Sequence, residues 1–245
     1  MDTAKDVLPI EELLAERRHL LEVARRTLGE GPDAESVVEE TYRRWYALPA
    51  PARAGITAPR AWLAQVAGGI CRDRPARYGV PERPQTRAAA PPPDRAGSGA
   101  GPAAPARRGP RGPRSSPVPA WQHDTVVAAV RQACATQDAA LLASLLASDV
   151  TAVFDGGGKV RALTGPVHGG RQVARSLLAL LARGPLTSLH THPVNGRTAI
   201  VVRHERRVVA VIGLDVAGPH VVRIWVVLNP DKLRLWNPPP SAGAR

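Results

Sequence analysis

"VFDGGGKVRAL", residues 153 to 163, sets three glycines between an aspartate and a lysine. It can be read as a phosphate-cradling loop, as a catalytic carboxylate–amine pair or as a tight turn, and the choice separates an enzyme from a regulatory module. A Walker loop needs a glycine five residues before its last one and a Ser or Thr after the lysine. Val153 and Val160 stand there instead. A dinucleotide fingerprint would need a third glycine where Arg161 stands. The flanks, "TAVF" before and "KVRAL" after, are strand-like, so the stretch reads as a glycine turn closing a hairpin. Lysine is rare in this arginine-rich chain, with 3 Lys against 30 Arg. Two of the three, Lys159 in "DGGGK" and Lys232 in "NPDKL", sit in these landmarks. A compact ammonium rather than a guanidinium fork at both places indicates specific contacts.

Outward from the turn, the C-terminal half reads as helices followed by a sheet. "DTVVAAVRQACATQDAALLASLLASDV" gives two amphipathic helices, with Asp124 and Asp138 as caps. "GGRQVARSLLALLARG" gives another, and β-rich segments follow at 198–204, 207–216 and 220–228. Helices first and an antiparallel sheet last is an α+β pattern. Possible acid/base groups are His190, His192, Asp215 and Arg223; His190 and His192 alternate with Leu189 and Thr191. None has a partner at recognisable catalytic or metal-ligand spacing, so no catalytic residue, metal or cofactor is assigned. Cys71 and Cys134 stand far apart with no C-x-x-C, which argues against a disulfide framework.

The N-terminal quarter is helical. Residues 10–28 carry Ile10, Leu13, Leu14, Leu21, Ala24 and Leu28 at helical spacing, with Gly29 as a stop. Asp33 is the expected cap of a second helix, whose stripe is Val37, Val38, Thr41, Tyr42, Trp45 and Leu48. "LPAPARAGITAP" reads as a loop, and Pro59 opens a third helix that Pro75 ends. Its stripe is Trp62, Leu63, Val66, Ile70 and Cys71. The expected organisation is a three-helix bundle (1–77), a Pro/Gly/Arg-rich disordered linker (78–119), an α+β domain (120–237) and a tail (238–245). The formal charge of +12 is unevenly spread. Residues 1–73 hold 10 basic and 12 acidic side chains, whereas 74–119 hold 9 and 2, and 120–245 hold 14 and 7. Two explanations of the basic linker stand side by side: a GC-rich coding composition, or a device for binding polyanions. No apolar run is long enough to span a bilayer, and the start lacks a signal-peptide pattern, so the expected location is cytoplasmic.

"DAESVVEETYRRWYAL" followed by "APRAWLAQVAGGICRDR" resembles the second conserved region of bacterial extracytoplasmic-function sigma factors. The resemblance implies core RNA polymerase as a partner. It makes Asp33, Glu35, Glu39, Glu40, Arg43 and Trp45 the polymerase-facing or supporting set. Arg60, Trp62, Arg72, Asp73 and Arg74 would belong to the helix facing promoter DNA. Gly68–Gly69 stand where that family carries an Arg–Asn pair, Glu39 where it carries Gln, and Pro75 where it carries Leu. The helix-turn-helix that reads the −35 element has no counterpart between 76 and 119. Promoter binding is therefore expected to be weak or assisted. The C-terminal half is similar to the SnoaL-like extension of one sigma-factor group through "DGGGKV", "PVHGGRQVARSLLALL", "VNG" and "NPDKL". That resemblance implies a cone of curved antiparallel sheet around helices, regulatory in role. It carries Asp155, Gly156, Gly157, Gly158, Lys159, Asn229, Pro230, Asp231, Lys232 and Leu233 over to a contact with the sigma core. The resulting expectation is a sigma-factor-like regulator that is not an enzyme. The cone fold leaves two other classes open, a small-molecule cyclase or isomerase and a ligand-sensing module with a small-molecule ligand in the cone.

Overall fold

The computed structural model describes residues 7–29, 32–74, 118–182 and 184–238. The expected linker and tail fall almost wholly outside these residues. Helix α1 (Ile10–Leu28) ends at Gly29, whose φ of +80° suits a residue without a Cβ. Helix α2 spans Pro32–Ala47, so Asp33 lies inside its first turn rather than at the expected cap. Proline can begin a helix because its missing N–H would be unsatisfied there anyway. The expected loop contains a short helix, α3 (Ala50–Ala54), before α4 (Pro59–Asp73). Leu20, Ala24, Val37, Val38, Tyr42, Leu63, Ala67 and Ile70 bury one apolar core between α1, α2 and α4.

Helix α5 (Ala120–Thr136) leads to α6 (Ala139–Leu145). Asp138 caps α6 as expected, accepting the Leu141 N–H at 2.9 Å. Asp124 is no cap; it lies within α5 and accepts a hydrogen bond from Thr198 at 2.6 Å. Helix α7 (Gly170–Leu180) is the last α-helix among the described residues, and a 3-10 turn at Arg234–Trp236 follows the sheet. The strands are β1 (Leu146–Asp155), β2 (Val167–His168), β3 (Thr187–Val194), β4 (Arg197–His204), β5 (Arg207–Ala217) and β6 (His220–Val227). They form one sheet in the order β2-β1-β6-β5-β4-β3. The combination of helices with a sheet agrees with the α+β reading, but the sheet is mixed. β1 runs parallel to β6, with Val153 beside Trp225, where a wholly antiparallel sheet was expected.

The expected hairpin across the glycines does not form. β1 pairs with β2 and β6, and 159–163 is irregular chain. The physical reason is competition for the backbone. Tyr46 of α2 donates its hydroxyl to the Val160 carbonyl at 2.7 Å, and accepts the Ala162 N–H at 2.9 Å. Those groups would otherwise have served a strand ladder. The largest core lies between the helices α5 to α7 and the sheet, and its buried members include Ile10 and Leu13 of α1. Helix α1 thus serves two cores, its first turns in the sheet domain and its later turns in the bundle.

Candidate functional site

The glycine turn, the "NPDKL" segment and the acidic side of α1 and α2 meet in one place. Asp155 ends β1, and its Oδ1 accepts the Gly157 N–H at 2.9 Å. Gly157 and Gly158 take φ of +60° and +68°, and Lys159 N–H bonds Gly156 O at 3.0 Å to close the turn. A side chain at Gly157 would collide with the Asn229 amide. One at Gly156 would meet the Ala162 Cβ at 2.9 Å. Asn229 in turn accepts the Asp231 N–H at 3.0 Å, and Lys232 reaches back to Asp155 at 2.6 Å. Leu233 is buried against Val201, Val208 and Val211, pinning the segment to the sheet. Pro230 sits between Asn229 and Asp231 in the same turn.

Lys159 and Arg161 cross to the helical bundle, and Arg17 of α1 reaches back toward them. Lys159 lies between Glu39 of α2 and Asp231, pairing with both, the latter at 2.6 Å. Hydrogen bonds that Lys159 donates to Asp231 and then to Glu39 raise its pKa above the ordinary ammonium value, and Lys159 holds the Asp231 carboxyl below the usual carboxylate range. Arg161 donates to Glu16 at 2.9 and 3.3 Å and stands 5.7 Å from the Trp45 ring centre. Glu16 is only 2% exposed, and it also accepts from Tyr42 at 3.3 Å. Burial, then the Glu16 charge, push the Tyr42 hydroxyl well up, so it remains a donor. Arg17 pairs with Glu35 at 2.5 Å and points a second nitrogen at the Lys159 carbonyl, 3.5 Å away. A cleft of about 550 Å³ opens beside this contact, lined by Ser36, Glu39, Arg43, Arg74 and Lys159 among others.

The residues assigned from the sequence are distributed as follows. Glu35 and Glu39 lie in the contact itself, whereas Glu40 is tied up within α2 by Arg43 and Arg44. Trp45 is buried, edge-on to Trp62 at 5.4 Å. Asp33 is exposed, and its carbonyl accepts from Arg74, which also donates to Ser36 at 2.9 Å. Arg60, Arg72 and Asp73 are exposed on α4. Glu16, Tyr46 and Arg161 were not among the assigned residues. Glu16 could have been noticed, because it falls on the stripe Leu13, Leu20, Ala24 that faces inward. Nothing local marks Tyr46 or Arg161, whose partners are more than a hundred residues away in the chain.

The acid/base candidates are not gathered. His190 and His192 are exposed on β3; His190 bonds to Ser188, and His192 to the Pro193 carbonyl, with its ring edge-on to Trp236. Asp215 pairs with Arg197 at 3.5 Å, and Arg223 lies over Trp225. Burial pushes the Cys134 thiol up to about 12 and raises Cys71 as well, so neither is a thiolate near neutral pH. Among the described residues no group of three or more His, Cys, Asp or Glu could hold a metal, and no helix is long and apolar enough to cross a membrane.

No family model matches the chain, and no curated protein matches it either. Solved structures do. The Mycobacterium tuberculosis extracytoplasmic function sigma factor SigJ is 22% identical over 91% of this chain and 97% of that one, with a TM-score of 0.38. A putative ketosteroid isomerase from Kribbella flavida is 15% identical over 51% and 90%, with a TM-score of 0.35. An M. tuberculosis LEH-like epoxide hydrolase is 14% identical over 46% and 87%, with a TM-score of 0.33. The last two correct one expectation. The sequence reading took the chain not to be an enzyme, yet proteins named for catalysis stand among the structures it is similar to.

Proposed function

We propose that this chain is a sigma-factor-like transcription regulator. In this reading its helical part binds core RNA polymerase through the acidic side of α2, and its SnoaL-like α+β part modulates that binding. The carrying observation is the engagement of Glu39 by Lys159 across the two parts. Glu39 belongs to the set that the sequence resemblance assigns to polymerase, and a side chain held by Lys159, itself paired with Asp231, is not free for another partner. The partition into bundle, linker, α+β domain and tail belongs to the same proposal, as do a cytoplasmic location and weak or assisted promoter binding. The latter rests on Gly68 and Gly69, which bring no side chain to the DNA-facing helix.

Co-purification with core RNA polymerase tests the reading. The wild-type chain should retain polymerase, and Lys159→Glu, which repels Glu39, should retain more. Reversing Glu39 and Glu40 together should release it. Absence of polymerase from both wild type and Lys159→Glu would overturn the proposal.

A further inference from the structure

A groove of about 770 Å³ runs along the β3 edge of the sheet to the tip of the β4–β5 hairpin. His190, His192, Arg203 and Arg206 line it, with hydroxyls from Ser188 and Thr191. Glu205 is the one carboxylate in that lining. Arg207 follows, exposed, so the tip reads "RHERR" from Arg203 to Arg207. Glu205 is 3.9 Å from Arg18 of α1, a half-exposed pair that brings one more arginine to the junction. Among the described residues no carboxylate forms an ion pair with Arg203, Arg206 or Arg207.

The backbone of this tip adds a second observation. Both neighbouring hairpins turn through two residues of positive φ. The β3–β4 turn uses Asn195 and Gly196, at +51° and +78°, the residue pair such turns favour. The β4–β5 turn uses Glu205 and Arg206, at +47° and +70°. Bulky charged residues are disfavoured in that region, and strain of this kind collects where a side chain has a task.

We infer that this groove and hairpin tip form a contact surface for the phosphate backbone of duplex DNA, independent of base sequence. Arginines, imidazoles and hydroxyls are the groups that meet phosphate oxygens, and a two-stranded β-ribbon has the dimensions to approach a DNA groove. No Trp, Tyr or Phe lines the groove, whereas a single-strand site would need stacking platforms. Pro185, Leu186 and Val201 also line the groove, but Arg203 and Arg206 in it and Arg207 beside it, against the single carboxylate of Glu205, favour a polyanion as the partner. Such a surface adds affinity without sequence readout, which suits a chain whose α4 carries two glycines. The inference goes beyond the polymerase reading and requires no polymerase.

Fluorescence anisotropy of the full chain with a labelled duplex of arbitrary sequence, without polymerase, tests it across about 50 to 200 mM salt. Replacing Arg203, Arg206 and Arg207 by Gln should weaken binding on the order of tenfold or more. It should also flatten the salt slope by about 0.9 for each phosphate that is no longer neutralised. Arg206→Gly should raise the melting temperature, by removing a strained residue, while weakening DNA binding. Neutralising Arg107, Arg108, Arg111 and Arg114, which lie outside the described residues, should leave most of the binding in place. Unchanged affinity and slope in the triple variant would overturn the inference, as would preferential binding of polyglutamate over DNA. Either failure leaves the polymerase co-purification result standing by itself.

Discussion

Gly157 and Gly158 look alike in sequence but are held for different reasons. Both have φ in the left-handed region, where a non-glycine residue costs about 1–2 kcal/mol. Only Gly157 also lies against the Asn229 side chain; the space beside Gly158 is open. Gly158→Ala should therefore lose about 1–2 kcal/mol in a urea unfolding experiment. Gly157→Ala should lose more, because Asn229 must move and its hydrogen bond to Asp231 with it. Equal losses for the two would show that the Asn229 contact is unimportant. The choice of lysine at 159 has a similar local logic. A single flexible ammonium reaches carboxylates on two different elements, Glu39 and Asp231, which a planar guanidinium would meet with less freedom.

At the scale of the element, α4 shows where helix propensity has been sacrificed. Gly68 and Gly69 lie within the helix, and neither has positive φ. A Cβ at Gly69 would meet nothing within 4 Å, and one at Gly68 only the end of Arg72. Gly69→Ala should thus stabilise the protein by about 0.5–1 kcal/mol, seen as a higher melting temperature. No change or a loss would mean that the glycine is held by something other than the helix. Element boundaries were the least legible feature of the sequence. The helices α1, α2 and α4 follow their apolar spacing closely, since one face is buried in each. The stretch 159–163 has the residues of a strand but not the conformation, because Tyr46 takes its backbone groups. Strand propensity expresses the surroundings of a segment more than its backbone preference.

Across the whole molecule, α1 and the Lys159–Arg161 segment bind two bodies into one. Ile10 and Leu13 are buried with the sheet, Leu20 and Ala24 with the bundle, and Glu16 between them takes Arg161. The Lys159 contact gives this union a pH profile. Lys159 is raised above its ordinary 10.5, so its contribution is complete below that value and is lost as pH rises through the raised one. Asp231 is lowered below its ordinary 3.8, so its contribution is complete above that value and is lost as pH falls through the lowered one. The stability difference between wild type and Lys159→Met should therefore be flat through the neutral range and shrink at both extremes. A difference that varies near neutrality would assign the effect to other groups. The sequence by itself determined the helical stripes, the α+β order of elements and the glycine turn, because each rests on residues near one another in the chain. Only the tertiary structure decided that β1 runs parallel to β6 and that 159–163 leaves the sheet. It alone decided that a buried Glu16 meets an arginine 145 residues away. Periodicity records which face of an element is buried, and it carries no information about what that face is buried against.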